Sequence, residues 1–490
     1  MSSPAQPSPT AAQPAPATAE PVAPAAVPPV PRTEIRARWA VLAVILFAEI
    51  LDLLDSTITT IAAPTIAADL GGGDALIQWL GAAYALAMGV LLVVGGRLGD
   101  KFGRRRLFLI GIVGFTVASV ACGLTFGPAA IIVFRLLQGA FGALLIPQGF
   151  GILGAIFPRD ELGKAFGVFA PALGLSAICG PILAGFLIDA DLFELGWRSM
   201  FLINIGLGGL ATGLAVRLLP RDTGDRRVTV DGLGSALLAA AMLGVLYGLI
   251  DGPANGWTAR PILALIAGLT FFAGFCLRQR HAAAPLIEPS LLRNRGFTSG
   301  LLLGLIYFAA TSGLLYVLSL FLQDVLRRTP TQAAIALAPL AVGIIVASIA
   351  THQLLERLGR TLVLIGLLLT LTGSLTLYAL THHYGAALSG WALIAPILLT
   401  GLGLGACFGT IFRVTLGDID PVESGSASGT LSAVQQLANS IGAAAVTTVY
   451  FHTSGGAPTS LLVIAALTLT CCLVYRLLPK HAAAEITEGQ

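Results

Sequence analysis

Charge is what this sequence has least of. Of 490 residues only 11% are Asp, Glu, Lys or Arg, against about a quarter in an ordinary soluble domain, while 56% are hydrophobic. That composition excludes a water-soluble fold. The 28 basic and 25 acidic residues nearly cancel to a net +3, so nucleic acid binding has no support. Cysteine is scarce. Cys122, Cys179, Cys276, Cys407, Cys471 and Cys472 all sit in apolar stretches without C-x-x-C spacing, which removes the common zinc and redox motifs. The six His residues are scattered, with only His382 and His383 adjacent, and none has zinc-ligand spacing. Neither a metal nor a cofactor is expected. No internal connection approaches the roughly 50 residues of a small domain, which argues against a polytopic membrane enzyme, and no rings of charge suggest a channel pore.

Residues 1 to 31 are rich in Pro, Ala, Ser and Thr with a single acid, too poor in large apolar side chains to offset the entropy of ordering. A disordered tail over 1–38 is expected. It lacks a basic segment followed by a short apolar core and a cleavage site, so the first apolar span is expected to direct insertion.

What the chain has in abundance is uninterrupted apolar stretches of about 20 residues, the length an α-helix needs to cross roughly 30 Å of hydrocarbon. They fall near 39–63, 77–97, 107–126, 129–150, 163–188 and 199–219, then 233–251 and 261–277, then 298–322, 332–351, 361–380, 388–411, 426–451 and 458–478. The expected fold is therefore an all-α polytopic membrane protein of 14 transmembrane helices. Its parts would be an N-terminal six-helix bundle (39–219), linkers with two extra helices (220–297), a C-terminal six-helix bundle (298–478) and a tail (479–490).

Basic residues test the count, because cytoplasmic connections carry an excess of Lys and Arg. They gather in alternate connections: Arg32, Arg36 and Arg38; Lys101 with Arg104, Arg105 and Arg106; Arg159 and Lys164; Arg217, Arg221, Arg226 and Arg227; Arg278, Arg280, Arg293 and Arg295. Both termini are thus expected on the cytoplasmic side of the inner membrane. Arg327 and Arg328, and the acids Asp418, Asp420 and Glu423, break the pattern. An internal echo supports a repeat: Asp100-Lys101-Phe102-Gly103-Arg104 returns as Glu356-Arg357-Leu358-Gly359-Arg360, each after the second helix of a six-helix unit.

Two constellations carry chemistry. In the connection from Gly96 to Arg106, Gly96 and Gly103 permit a tight reversal, and Asp100 is expected at a helix N-terminus, accepting from Arg104. Such a charge pair could gate one face. Inside span 4 stands Arg135, where a lone guanidinium costs about 2.5 to 3.5 kcal/mol. Span 1 offers Glu49, Asp52 and Asp55 at i, i+3 and i+6, within one roughly 120° arc. Three acids against one cation leave carboxylates without a permanent counter-ion, the condition under which buried carboxyl groups exchange protons.

The spacing G-x-L-x-D-x-x-G-R-R-R from Gly96 to Arg106 resembles the signature loop of the major facilitator superfamily. Leu54-Asp55-Ser56-Thr57 through Pro64 resembles the first-span motif of its 14-span drug:proton antiporters, and the Arg135 segment their proton-coupling motif. Gly174, Gly180-Pro181 and Gly185 are similar to the span 5 motif of antiporters; Pro181 removes a backbone donor and the glycines allow close packing. Trp197-Arg198 with Phe201 and Asn204, and the connection from Pro285 to Phe297, resemble further landmarks, so the likeness covers about residues 35 to 478. Glu49 and Asp52 depart from the pattern, as does Gln435-Gln436 where relatives often carry a base.

The resemblance implies a proton-coupled antiporter, working as a monomer in the bilayer, that exports small amphipathic compounds such as drugs, antibiotics or secondary metabolites by alternating access. Asp55 would carry the proton, with Asp52 and Glu49 sharing the route. Arg135 would tune it, Asp100 and Arg104 gate, and Gly180-Pro181 bend span 5. Tyr84, Gln138, Gln148, Asn204, Tyr307, Tyr316 and Gln435 are candidate substrate contacts, although such residues serve mostly as interhelical glue at about 0.6 kcal/mol each. The alternative within transport is a symporter or facilitator importing a nutrient.

Overall fold

The computed structural model describes residues 32–157, 161, 176, 180–254, 257–282, 285–417, 419 and 424–478. Among the described residues, fourteen helices of at least ten residues follow one another: α1 Arg32–Leu70, α2 Gly73–Phe102, α3 Arg104–Gly123, α4 Pro128–Ile156, α5 with Gly180–Asp189 described, α6 Arg198–Leu218, α7 Gly232–Ala254, α8 Ala259–His281, α9 Arg295–Leu320, α10 Pro330–Leu358, α11 Arg360–Tyr384, α12 Gly390–Thr415, α13 Ser424–His452 and α14 Gly456–Val474. Eleven of them are long and apolar enough to cross a membrane. α1 and α13 are of spanning length but more polar, through Glu49, Asp52 and Asp55 in one and Gln435, Gln436 and Asn439 in the other.

The chain is a multi-pass membrane protein of two six-helix bundles with two helices inserted between them. The repeat shows in the packing: α4 lies against α2 and α3 as α12 lies against α10 and α11. It shows in the turns as well. Gly103 (φ 94°) and Gly359 (φ 47°) occupy the left-handed region immediately before α3 and α11, a conformation that suits glycine because it has no Cβ. The inserted pair packs on itself, and α7 also touches α2 and α13 from the side.

The bundles meet along α2 and α13. Ser440 Oγ donates to the Ala82 carbonyl at 2.9 Å, and Gly81 lies so close to Tyr316 and Ala443 that a Cβ would stand 2.7 Å from the tyrosine ring and 3.0 Å from the alanine methyl. At the end away from Gly103, Ser319 donates to the Thr60 carbonyl at 3.0 Å and Gln323 to that of Ile61 at 3.1 Å. Asp189, ending α5, accepts from Thr329 Oγ1 at 2.8 Å and from the Thr331 amide at 3.2 Å, so a carboxylate of one bundle holds the start of α10 in the other. These contacts bridge the two bundles at this end, which is called the outer end only as a label. α9 runs into it as a π-helical turn, Phe321–Val325, followed by Arg327 at a positive φ of 53°.

Candidate functional site

The centre is built on α4. Arg135, Gln138, Gly139, Gly142 and Gly149 fall on one face at 100° per residue, and that face meets α1 and α2. Arg135 is 1% exposed. Its guanidinium pairs with Asp55 Oδ2 on α1 and donates to Gln138 Oε1 at 2.9 Å. Gln138 Nε2 donates to Asp55 Oδ1 at 2.8 Å. Asn204 Nδ2 on α6 reaches the same oxygen at 3.3 Å and Ser119 Oγ on α3 at 2.8 Å. Both oxygens of Asp55 are thereby occupied. The guanidinium is flanked by aromatic faces, its carbon 4.6 Å from the Tyr84 ring centre and 5.9 Å from that of Phe201, a favourable arrangement for a desolvated cation.

The other two acids are placed differently. Asp52 Oδ1 accepts from the Tyr84 hydroxyl and is not paired with Arg135. Glu49 is 6% exposed, and its buried Oε1 has no hydrogen-bond partner among the described residues; it lies 3.6 Å from where a Cβ on Gly149 would stand. An ionised carboxylate so placed costs several kcal/mol unless a proton or a cation joins it.

The expected gate loop is also assembled, with one correction. Arg104 pairs with Asp100 at 2.9 Å and donates to the Gly151 carbonyl at 2.6 Å. Asp100, however, lies in the last turn of α2 and not at a helix N-terminus. The acid that accepts from the first amides of α3 is Asp222, in the connection after α6. The reason is that α2 continues to Phe102, so Asp100 is still inside its last turn and the chain reverses only at Gly103. Gly96 has ordinary room, 3.5 Å from Pro147.

Gly174 lies outside the described residues. Gly180 faces Thr57 and Leu54 on α1, and Gly185 faces Pro330 and Thr331 of the other bundle, so α5 touches both the Asp55 neighbourhood and the outer closure. Gly180 and Pro181 begin the described part of that helix.

The candidate substrate contacts fall mostly between helices. Tyr84, Gln138 and Asn204 serve the acids on α1. Gln148 donates to the Gly95 carbonyl at 2.7 Å and lies across Gly99. Tyr307 reaches the Leu404 carbonyl at 3.3 Å, inside the second bundle. Tyr316 is packed at the seam, and Gln435 is half-buried on α13. Sequence reasoning missed Ser119, Gly142 and Asp222. Gly142 had a signal, seven residues beyond Arg135 on its own face, whereas Asp222 stands in irregular chain and had none. At the outer end, the Trp197 indole and Arg198 both donate to Asp69, at 3.0 and 2.8 Å. Those two donors, the indole first, hold the Asp69 carboxyl below the usual carboxylate range.

Residues 45–443 match the family described as the Major Facilitator Superfamily. The chain is 44% identical over 428 residues to the "Probable actinorhodin transporter" of Streptomyces coelicolor, covering 86% of this chain and 74% of that protein. It is 34% identical to the "Tetracenomycin C resistance and export protein" of Streptomyces glaucescens, covering 84% and 76%, and 34% identical to a puromycin resistance protein of Streptomyces alboniger, covering 84% and 82%. Among solved structures, a peptide transporter in complex with sulfate superposes with a TM-score of 0.68 at 16% identity, over 89% of this chain and 95% of that one. The xylose transporter XylE from E. coli, in a partially occluded inward open conformation, gives 0.64 at 14% identity, over 93% and 99%. At these identities the structures establish the shared fold.

Proposed function

We propose that this chain, which belongs to the Major Facilitator Superfamily, exports small amphipathic antibiotics or related compounds across the cytoplasmic membrane in exchange for protons. The cargo class follows from relatives named for actinorhodin, tetracenomycin C and puromycin. The single observation that carries the coupling is the buried trio on α1, where one acid is matched by Arg135 and two are not. Asp55, with both oxygens bound, anchors Arg135. Asp52 and Glu49, lacking a cation, take the exchangeable proton or yield to a cationic group of the cargo. Competition between proton and cargo for these acids converts an inward gradient, worth about 2.3 kcal/mol per charge per 100 mV, into export.

In this reading the basic ends of the helices face the cytoplasm, as the alternating Lys and Arg favour. Cargo would then enter from the cytoplasmic side, opposite the contacts between α5 and α10. The two bundles, 39–219 and 298–478, would rock about the α2–α13 seam while α7 and α8 remain at the side.

The test is transport in inverted membrane vesicles. The parent should accumulate puromycin or a related antibiotic when a proton gradient is imposed, and lose that accumulation when a protonophore is added. Asp55→Asn and Arg135→Ala should each reduce gradient-driven uptake at least tenfold, the loss expected when one partner of a buried ion pair is removed, and Glu49→Gln, which leaves no exchangeable proton at that position, should do the same. Parent-level uptake in all three variants would refute the assignment of these residues. Accumulation of a nutrient together with protons would favour the symport reading instead.

A further inference from the structure

The two connections of the inserted helix pair dock where α2 meets α3, the first on the turn at Gly103 and the second on the later turns of α2. We propose that they form a clamp which holds the start of α3 in place and ties α7 and α8 to the first bundle, with Asp222 as its positioning residue; this rests on the alternating-access reading above.

The first amides of any helix lack partners within it, and Gly103, which precedes α3, has no side chain to offer. Asp222 fills the gap from 118 residues away: Oδ2 accepts from the Arg104 amide and Oδ1 from that of Arg105 at 3.1 Å. A carboxylate there also meets the positive end of the helix dipole. The backbone beside it seals the contact. The Asp225 amide donates to the Asp100 carbonyl at 2.8 Å, and Gly224 lies so close that a Cβ on it would overlap the Lys101 carbonyl and stand 2.6 Å from the Gly103 nitrogen. From the other flank, Arg97 donates to the Pro285 carbonyl at 3.1 Å and pairs with Glu288 at 3.4 Å, while Leu286 packs with Val94 and Phe275.

The second repeat shows what the insertion adds. Arg105 donates to the Val216 carbonyl at 2.6 Å near the end of α6, and Arg360 donates to the Arg476 and Leu478 carbonyls, both at 2.9 Å, just beyond α14. Anchoring of the third helix to the end of the sixth is therefore common to both halves. Among the described residues, no side chain caps α11 as Asp222 caps α3. The carboxylate belongs to the connection that leads into α7. By fixing the start of α3, it sets the position from which Arg104 reaches Asp100 and Gly151.

Arg221, Arg226 and Arg227 are exposed in the clamp, so trypsin reads its release directly. Full-length parent, Asp222→Ala, Asp222→Asn and Gly224→Ala should be digested in vesicles with the basic ends outward, and their puromycin export kinetics compared. Asp222→Ala and Gly224→Ala should be cleaved in the clamp about fivefold faster, the factor expected for a lost helix cap, with a lower maximal export rate at unchanged KM. Asp222→Asn keeps an acceptor and should stay near the parent in both. Cleavage of Asp222→Ala and Gly224→Ala at the parental rate overturns the clamp, and faster cleavage with a change confined to KM overturns the positioning role. Failure of the parent to export would refute the exporter reading while the digestion still decides the clamp.

Discussion

Adding one methyl group to Gly142 perturbs the acids on α1 without removing any of them. A Cβ at that position would stand 2.8 Å from Asp52 Oδ1 and 2.9 Å from the Tyr84 hydroxyl, each roughly half an ångström inside ordinary contact. The two oxygens are themselves hydrogen-bonded, so the methyl group must drive them apart. A buried hydrogen bond contributes about 0.5 to 1.5 kcal/mol, which is roughly a 2- to 13-fold change in the ratio of bonded to broken forms. Gly154 on the same helix provides the control, since a Cβ there meets nothing within 4 Å and Gly→Ala in a helix is otherwise favourable by up to about 1 kcal/mol. In proteoliposomes with a fixed proton gradient, Gly142→Ala should export about tenfold more slowly and release fewer protons on addition of cargo, while Gly154→Ala matches the parent. If Gly142→Ala folds and exports at the parental rate, the Asp52–Tyr84 contact plays no part in coupling and the division of labour among the three acids is wrong.

At the outer closure, a Cβ on Gly185 would stand 2.6 Å from Thr331 Cα and 2.8 Å from the Pro330 carbonyl carbon, backbone atoms that cannot swing away. Overpacking of this kind costs about 1 to 3 kcal/mol, so Gly185→Ala should open the outer end, seen as roughly tenfold faster reaction of a Thr60→Cys reporter with an impermeant maleimide; an unchanged rate would count against the seam. Asp69 predicts a pH dependence. Its carboxyl is held below the ordinary 3.8 by the Trp197 indole and then Arg198, so its stabilisation is fully present above that value and is lost as pH falls through the lower folded-state value. With the side chain 45% exposed, solvent screening leaves it under about 1 kcal/mol. Asp69→Asn should therefore lower the melting temperature at pH 7 by no more than about 2 °C, and the difference should fade in acid, as pH falls through the lowered folded-state value. A deficit of equal size at pH 7 and in acid would mean that packing, not charge, is responsible.

Much of the architecture was legible because the bilayer imposes it. Hydrocarbon thickness fixes helix length, so apolar runs mark α1 to α14 directly, and the echo of Gly103-Arg104 in Gly359-Arg360 reflects two turns that need the same left-handed glycine. Arg135 announced that an acid must be near it, since no lone guanidinium rests in an apolar bundle. Which of Glu49, Asp52 and Asp55 it meets was not legible, because that depends on the rotation of α1 against α4. The glycines of α4 set that rotation through contacts no periodicity reports. Asp222 and Asp189 were hidden for a different reason: each acts on a helix start far away in the chain, and a carboxylate in a connection looks the same whether it caps such a helix or faces water. The polar residues expected to touch cargo were ambiguous in principle, because a membrane bundle uses the same amides and phenols to join helices. Gln148 on the Gly95 carbonyl and Tyr307 on that of Leu404 show that second use.

One helix surface explains why three acids and one base coexist here. α4 presents a large cation at Arg135 and, on the same face, has no side chain at Gly139, Gly142 and Gly149, the positions that face the Tyr84 backbone, the Asp52–Tyr84 pair and Glu49. Close approach of the backbones leaves room for the acids and excludes water from around them. Low polarity in turn makes every uncompensated charge expensive. A single guanidinium cannot balance three carboxylates, and Asp55 already takes it together with two amide donors. Under the proposed exchange, a proton or a cationic cargo group would neutralise the remaining acids, and they would ionise only as the bundles moved and admitted water. Proton transfer and bundle movement would then be linked by the same electrostatic cost, a link that a bundle whose buried charges are all paired lacks.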